Sequence, residues 1–193
     1  MERDADLVGS VLNRRAALGG AAALAAMVGL VGRTGHASAH GKKVDYSRHP
    51  LTGMWLAMAN PVLTESPQFP APSLFTADGF IIFIFPITDL GPQGPFFQTG
   101  LTGAWEPDGR HRGHFTGVEM LSDANGTFTG SVTVDGYPVV SEDGQTFIDD
   151  GSKVIVTIRD PSGAVVASFP GAGSRPVTAI RMSPGNPGFP DVP

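Results

Sequence analysis

The sequence predicts an all-β protein: an antiparallel up-and-down barrel of about eight or nine strands, with a two-sheet β-sandwich as the alternative. Three observations lead there. Short runs of Val, Ile, Phe and Thr are punctuated by Asp78-Gly79, Asp108-Gly109, Asp135-Gly136, Asp143-Gly144, Asp150-Gly151 and Asn125-Gly126. Such dipeptides mark hairpin turns or bulges, because both central positions of a type I′ turn require positive φ. Between Leu51 and Met182 no window of helical length carries an apolar stripe at helical spacing. Finally, this many strands in one domain must hide their edges, and closing into a barrel removes the edges altogether.

Residues 1–39 precede that pattern and have a different character. A charged start ending in Arg14-Arg15 leads into the uncharged, Ala- and Gly-rich run from Ala16 to Gly32, and Ala37-Ser38-Ala39 supplies a small-x-small cleavage site. The run is shorter than the roughly 20 apolar residues a bilayer core requires, and it has no polar face that would suit a core helix. The paired arginines with Leu18 beyond them resemble a twin-arginine export signal, so 1–39 is expected to be a helical signal peptide. The resemblance implies secretion or a cell-envelope location, and no stable membrane insertion after cleavage.

Cleavage after Ala39 lowers Lys plus Arg from 13 to 9, by removal of Arg3, Arg14, Arg15 and Arg33. Asp plus Glu falls from 18 to 15 with Glu2, Asp4 and Asp6, leaving a net charge near −6. That charge argues against nucleic acid or an anionic membrane as partner. The absence of cysteine excludes disulfides, thiolate metal sites, a Cys nucleophile and a lipidated N-terminal Cys.

The mature chain reads as an extended lead-in (40–51), a barrel domain (52–182) and a Pro/Gly tail (183–193) without pattern, expected to be disordered. Strands are expected at 52–60, 73–77, 80–85, 98–105, 111–121, 127–134, 137–141, 145–159 and 164–182. The last two are long, and each is expected to carry a bulge, at Asp150-Gly151 and around 170–173. In "GTFTGSVTVDG", Thr127, Thr129, Ser131 and Thr133 are expected to face water, and Phe128, Val132 and Val134 a core.

"TGMWLAMA", with Gly53-x-Trp55 opening the first strand, and Arg181 in the last strand resemble the lipocalin and calycin arrangement. There the first-strand Trp closes the barrel floor beneath a late Arg. "LFTADG", "TGAWEPDG" and "DANGTFTG" are similar to small secreted actinobacterial barrels described as lipocalin-like, and more distantly to the allene oxide cyclase barrel. The resemblance spans roughly Leu51 to Met182. It implies a barrel that binds a small molecule or, in the cyclase case, a cofactor-independent cyclase or isomerase.

In a meander alternate loops share one end. Residues 61–72 and 86–98 would therefore emerge together, opposite the tight turns at Asp78-Gly79, Asp108-Gly109 and Asp135-Gly136. Long loops in a compact domain usually bind something, and these carry Phe69, Phe96 and Phe97, as a lid or as a plug. Inward-facing Phe75, Phe83, Phe85, Trp105, Phe115, Phe128 and Phe147 would line a pocket or simply fill the barrel. A ligand there would be small and apolar.

His111 and His114 are three apart, so a regular strand turns them to opposite faces and no metal site is predicted. Their surroundings read instead as a solvated rim with Glu106 and Asp108. His40 and His49 fall in the lead-in and receive no role. Glu119 shares a face with Phe115. Directed inward it would be desolvated and could act as a general acid or base, with His114 the other proton-transfer candidate; at a strand end it would meet solvent, Arg159 or Arg181. No nucleophile elbow, zinc helix or phosphate-binding glycine loop occurs, and no cofactor is implied.

The first strand alternates Met54, Leu56 and Met58 against Trp55, Ala57 and Ala59, and "GFIIFIFP" is apolar on both faces. Such an outer wall requires cover, by self-association into a homo-oligomer or by the lead-in folding back. The sequence thus predicts an exported barrel that binds a small apolar molecule, with a cyclase or isomerase and a filled structural barrel as alternatives.

Overall fold

A computed structural model describes residues 44–61, 63, 67–91, 94–171 and 175–189. Residues 1–43, with the predicted export signal and His40, lie outside the described residues. The described part is all-β. Its strands are β1 (Gly53–Ala59), β2 (Phe69–Phe75), β3 (Phe80–Phe83), β4 (Thr88–Gly91), β5 (Gly94–Gln98), β6 (Leu101–Pro107) and β7 (Gly113–Ser122). They continue with β8 (Phe128–Gly136), β9 (Val139–Val140), β10 (Thr146–Asp149), β11 (Ile155–Arg159), β12 (Val165–Pro170) and β13 (Val177–Arg181). All pair antiparallel in one curled, barrel-like sheet of order β12-β11-β8-β7-β6-β3-β2-β1-β13-β10-β9, with the β4–β5 hairpin attached to β7.

The strand elements outnumber the eight or nine predicted, for three physical reasons. First, the long segments break where the Asp-Gly and Pro-Gly signals fall. Thus 145–159 becomes β10 and β11, and 164–182 becomes β12 and β13. β10 pairs with β13, and β11 with β12, so the two segments form one bent hairpin. Second, β8 does not turn at Asp135-Gly136 as expected: it runs on through Gly136 into β9, and the hairpin turn lies at Ser141–Gln145. Third, the loop after β3 folds on itself into β4 and β5, which the prolines at 86, 92 and 95 obscured in the sequence.

β2 begins at Phe69, four residues before the expectation, despite Pro70 and Pro72. Both prolines pair with β1, opposite Met58 and Leu56, whereas β3 pairs only with Ser73, Leu74 and Phe75. The missing N–H groups thus fall on an edge where the neighbouring strand has ended, the position a strand tolerates proline.

Phe128 is the clearest inversion. It was expected inside, yet it is 40% exposed. The β7–β8 register shifts between Leu121 and Ser122, so Leu121 faces Gly130 and Ser122 faces Phe128. One extra residue reverses the in-out alternation beyond it. Gly130 permits the bulge at φ 144°, where a Cβ would lie 2.2 Å from the Arg159 carbonyl oxygen.

The core has two parts. At the tight-turn end Phe75 is the hub, with ring centroids 5.6 Å from Phe83, 5.7 Å from Trp105 and 6.2 Å from Phe115 and Phe147. Edge-on contacts of this kind add about 0.5–1.5 kcal/mol each beyond burial. At the long-loop end Leu121, Val132, Val154 and Val156 form a second cluster, overlain by Leu63, Phe96 and Phe169.

The lead-in does not cover the outer wall. It crosses the floor, where Leu51 is buried, Tyr46 packs on Trp105 and Tyr46 N–H donates to the Ala77 carbonyl at 2.6 Å. The outer wall stays apolar and open at Phe80 (60% exposed), Ile82, Ile84, Met54, Val118 and Met120. The described part of the tail, 183–189, has a defined turn with Ser183 bridged to Asn186, and Gly188 approaches Leu56 on the outside of β1. That contact explains why Leu56 is buried although it points outward.

Candidate functional site: an internal cavity

Alternation along β1 turns Ala57 and Ala59 inward, and along β2 it turns Ala71 and Ser73 inward. Three of these four are alanine and the fourth is serine, so this side of the interior has too little side-chain volume to fill. A cavity of about 90 Å³, partly open to the outside, results. Phe83, Phe85, Leu101, Phe115, Val134 and Phe147 complete most of its apolar wall.

The aromatic residues singled out in the sequence therefore divide by role. Phe83, Phe85 and Phe115 line the cavity, while Phe75 and Trp105 are not in its wall and build the floor beneath. Trp105 Nε1 donates to the Thr76 carbonyl at 2.9 Å, which fixes that ring. Phe96 packs over the upper cluster, its neighbour Phe97 turns to the opposite face and is 37% exposed, and Phe128 lies outside. Phe69 meets Phe85 edge-on at 5.5 Å and so extends the cavity wall toward the loop end.

Four polar residues reach the cavity, none of them singled out from sequence: Asn60, Ser73, Asp149 and Arg175. Asp149 is buried, and its carboxylate accepts from Tyr137 N–H at 2.6 Å and Gly151 N–H at 3.1 Å. Burial pushes its carboxyl above the usual range, and the two backbone donors oppose that shift. Its one sequence signal was adjacency to Asp150-Gly151, since the bulge supplies one of the donors. Asn60 Nδ2 donates to the Arg175 carbonyl at 2.8 Å, tying the end of β1 to the approach to β13.

Glu119 faces inward from β7 and is only 2% exposed. Neither Arg159 nor Arg181 reaches it: Arg159 donates to Thr133 Oγ1 at 2.9 Å, and Arg181 sits at the floor over Trp55. Among the described residues nothing donates a hydrogen bond to this carboxyl or pairs with it. Burial alone raises its pKa to about 7. Glu119 is not in the cavity wall but stands one inward row above it.

The histidines lie apart from this interior. His114 is on the outer face, stacked on Tyr137 at 4.6 Å and 3.9 Å from both Glu106 and Asp135. It therefore points away from the inward face that holds the cavity. Arg112 and Asp108 pair at 2.6 Å beside it, the solvated rim the sequence suggested. His111 Nδ1 is buried with no hydrogen-bond partner among the described residues. His49 has a structural part: its Nδ1 accepts from Leu51 N–H, its Nε2 donates to the Gly109 carbonyl, both at 3.2 Å, and burial lowers its pKa.

A second, larger groove of about 570 Å³ lies outside the sheet, over Leu56, Met58, Ile148 and Ile180, with Gly188 at its rim. It is lined by residues of β1, β9, β10 and β13 and by Gly188. The interior cavity is the better candidate because side chains from both core clusters surround it. No protein-family model matches this chain, and searches of curated proteins and of solved structures give no match either.

Proposed function

We propose that this protein is an exported, lipocalin-like β-barrel that holds a small apolar molecule inside. The observation that carries the reading is the cavity of about 90 Å³, left where Ala57, Ala59, Ala71 and Ser73 face inward together. Apolar cavities of this order stay dry and accept apolar guests, and an engineered one of about 150 Å³ takes benzene. The size suits a compact molecule or the apolar end of a longer one, with Asn60 and Arg175 available to a polar end.

Closure of the barrel is part of the proposal. Counted with β8 and β9, β10 and β11, and β12 and β13 each as one kinked strand, the thirteen elements reduce on this reading to an eight-strand meander plus the β4–β5 hairpin. Gly113 N–H donates to Pro138 at 3.0 Å and Val140 N–H to His111 at 2.8 Å, extending the β7–β8 pairing into β9. Eight strands give an interior wide enough for one small ligand. Export rests on the Arg14-Arg15 signal.

Native mass spectrometry of the protein purified from its own host tests the reading. The expected result is a retained small molecule that denaturation releases, and its absence from an Ala71→Leu variant, whose side chain fills the cavity. A mass equal to the bare chain in both proteins overturns it.

A further inference from the structure

The inward rows of β7 and β8 form a ladder from the cavity to Glu119. Phe115 pairs with Gly136, and both line the cavity. The next inward pair is Gly117 with Val134, of which Val134 lines it too. The pair after that is Glu119 with Val132. One such step along a strand is about 7 Å. Gly117 contributes no side chain, and Leu101 lies over it: a Cβ at Gly117 would fall 1.9 Å from Leu101 Cδ2. Leu101 is itself a cavity wall residue. At this row the buried Leu101 side chain thus lies between the carboxyl and the cavity.

We propose that Glu119 is the ligand-recognition group of the barrel, and that the ligand is a neutral, largely apolar molecule with a carbonyl or ether oxygen that accepts a hydrogen bond from the Glu119 carboxyl. This rests on the interior-binding reading above and names the class of molecule bound. The Glu119 carboxyl has no hydrogen-bond partner among the described residues, and a ligand oxygen would supply one. Its surroundings favour a neutral ligand over a cation. Val132 faces it from β8, Leu101 lies alongside on β6, and Val156 and Ile158 approach from β11, none of them titratable. The other buried carboxyl among the described residues, Asp149, is on β10 and already holds two backbone N–H donors. With no cation facing it among the described residues, the protonated carboxyl is the form this apolar setting favours, and that form donates.

The test compares 2-hexanone, hexane and hexylamine binding to the full chain, followed by amide NMR shifts at about pH 5.5 and about pH 8.5, where Glu119 changes charge. Hexane is expected to bind equally at both values. 2-Hexanone is expected to bind at least about tenfold more tightly at the lower pH, a preference of about 1.4 kcal/mol. Glu119→Leu is expected to abolish that pH difference, and Glu119→Gln, which keeps an N–H donor, to bind the ketone tightly at both values. Hexane binding without any ketone preference, a pH difference that survives in Glu119→Leu, or hexylamine binding most tightly at the higher pH would each overturn the assignment while leaving interior binding intact. Failure of hexane and 2-hexanone alike would overturn interior binding itself.

Discussion

The Arg181 guanidinium carbon lies 4.1 Å from the centre of the Trp55 ring, and the two residues also face each other directly in the β1–β13 pairing. Four segments meet there. Trp55 Nε1 donates to the Leu51 carbonyl at 2.8 Å, while Arg181 donates to the carbonyls of Thr52 at 3.1 Å, Gly144 at 2.6 Å and Pro50. The floor is therefore a rigid joint among the lead-in, the first strand, the last strand and the β9–β10 turn.

Removing the guanidinium should loosen that joint. Arg181→Ala is expected to cost about 2–4 kcal/mol, since it deletes a cation–π contact and leaves carbonyl acceptors unmet. Arg181→Lys should recover less than half, because one ammonium cannot serve acceptors spread across a planar fork. Denaturant midpoints at unchanged m-value check both.

Leu51 gives a second test of the floor. It is fully buried, and a Cβ at Gly113 would lie 2.4 Å from its Cδ2, so the contact is tight. Leu51→Ala is expected to cost about 2–5 kcal/mol, as for other buried leucines. Tyr46→Ala, which removes only a ring at the floor's edge, should cost less. Thermal unfolding of the two variants against wild type decides whether the lead-in is integral to the fold.

Much of this was legible in the sequence, and the failures have definite causes. Turn dipeptides located many of the strands, and strict alternation turned Phe75, Phe83, Trp105 and Phe115 inward as observed, while Glu119, left open between interior and strand end, is inward. What could not be read was anything set by a one-residue change in register: the bulge that exposes Phe128, and the run through Asp135-Gly136 into β9. Prolines hid the start of β2, because whether a proline sits on a paired or an unpaired edge depends on where a neighbouring strand ends. The sequence left a pocket and a filled barrel as alternatives, and the small residues that create the space, Ala57, Ala59, Ala71 and Ser73, align only once β1 and β2 pair.

Glu119 makes stability depend on pH in a definable window. Its carboxyl titrates near 4.5 when solvated and about 7 in the fold. Between those values the folded protein keeps a proton that the unfolded chain has lost, so stability falls as pH rises and levels off above about 7. The loss is about 3 kcal/mol. Glu119→Leu should remove this slope, so wild type should lose about 3 kcal/mol more than the variant between about pH 4.5 and about pH 8. Asp149, also raised by burial, contributes a slope of the same sign to both proteins and cancels in the difference. Equal slopes in the two proteins would mean that the carboxyl is solvated.

Two substitutions that each add carbon to the interior should behave oppositely. Gly103 and Gly117 face each other across β6 and β7, and a Cβ at Gly103 would lie 2.0 Å from the Thr116 carbonyl oxygen and 2.7 Å from Gly117 Cα. Those are backbone atoms and cannot turn aside, so Gly103→Ala must force the two strands apart, at a cost of about 2 kcal/mol or more. Ala71→Val adds two carbons toward the cavity, where there is room, and should change stability by less than about 1 kcal/mol. Chemical denaturation of the pair measures the contrast. If Ala71→Val is the more damaging of the two, the space beside Ala71 is already occupied by neighbouring side chains, and no void is left for a guest.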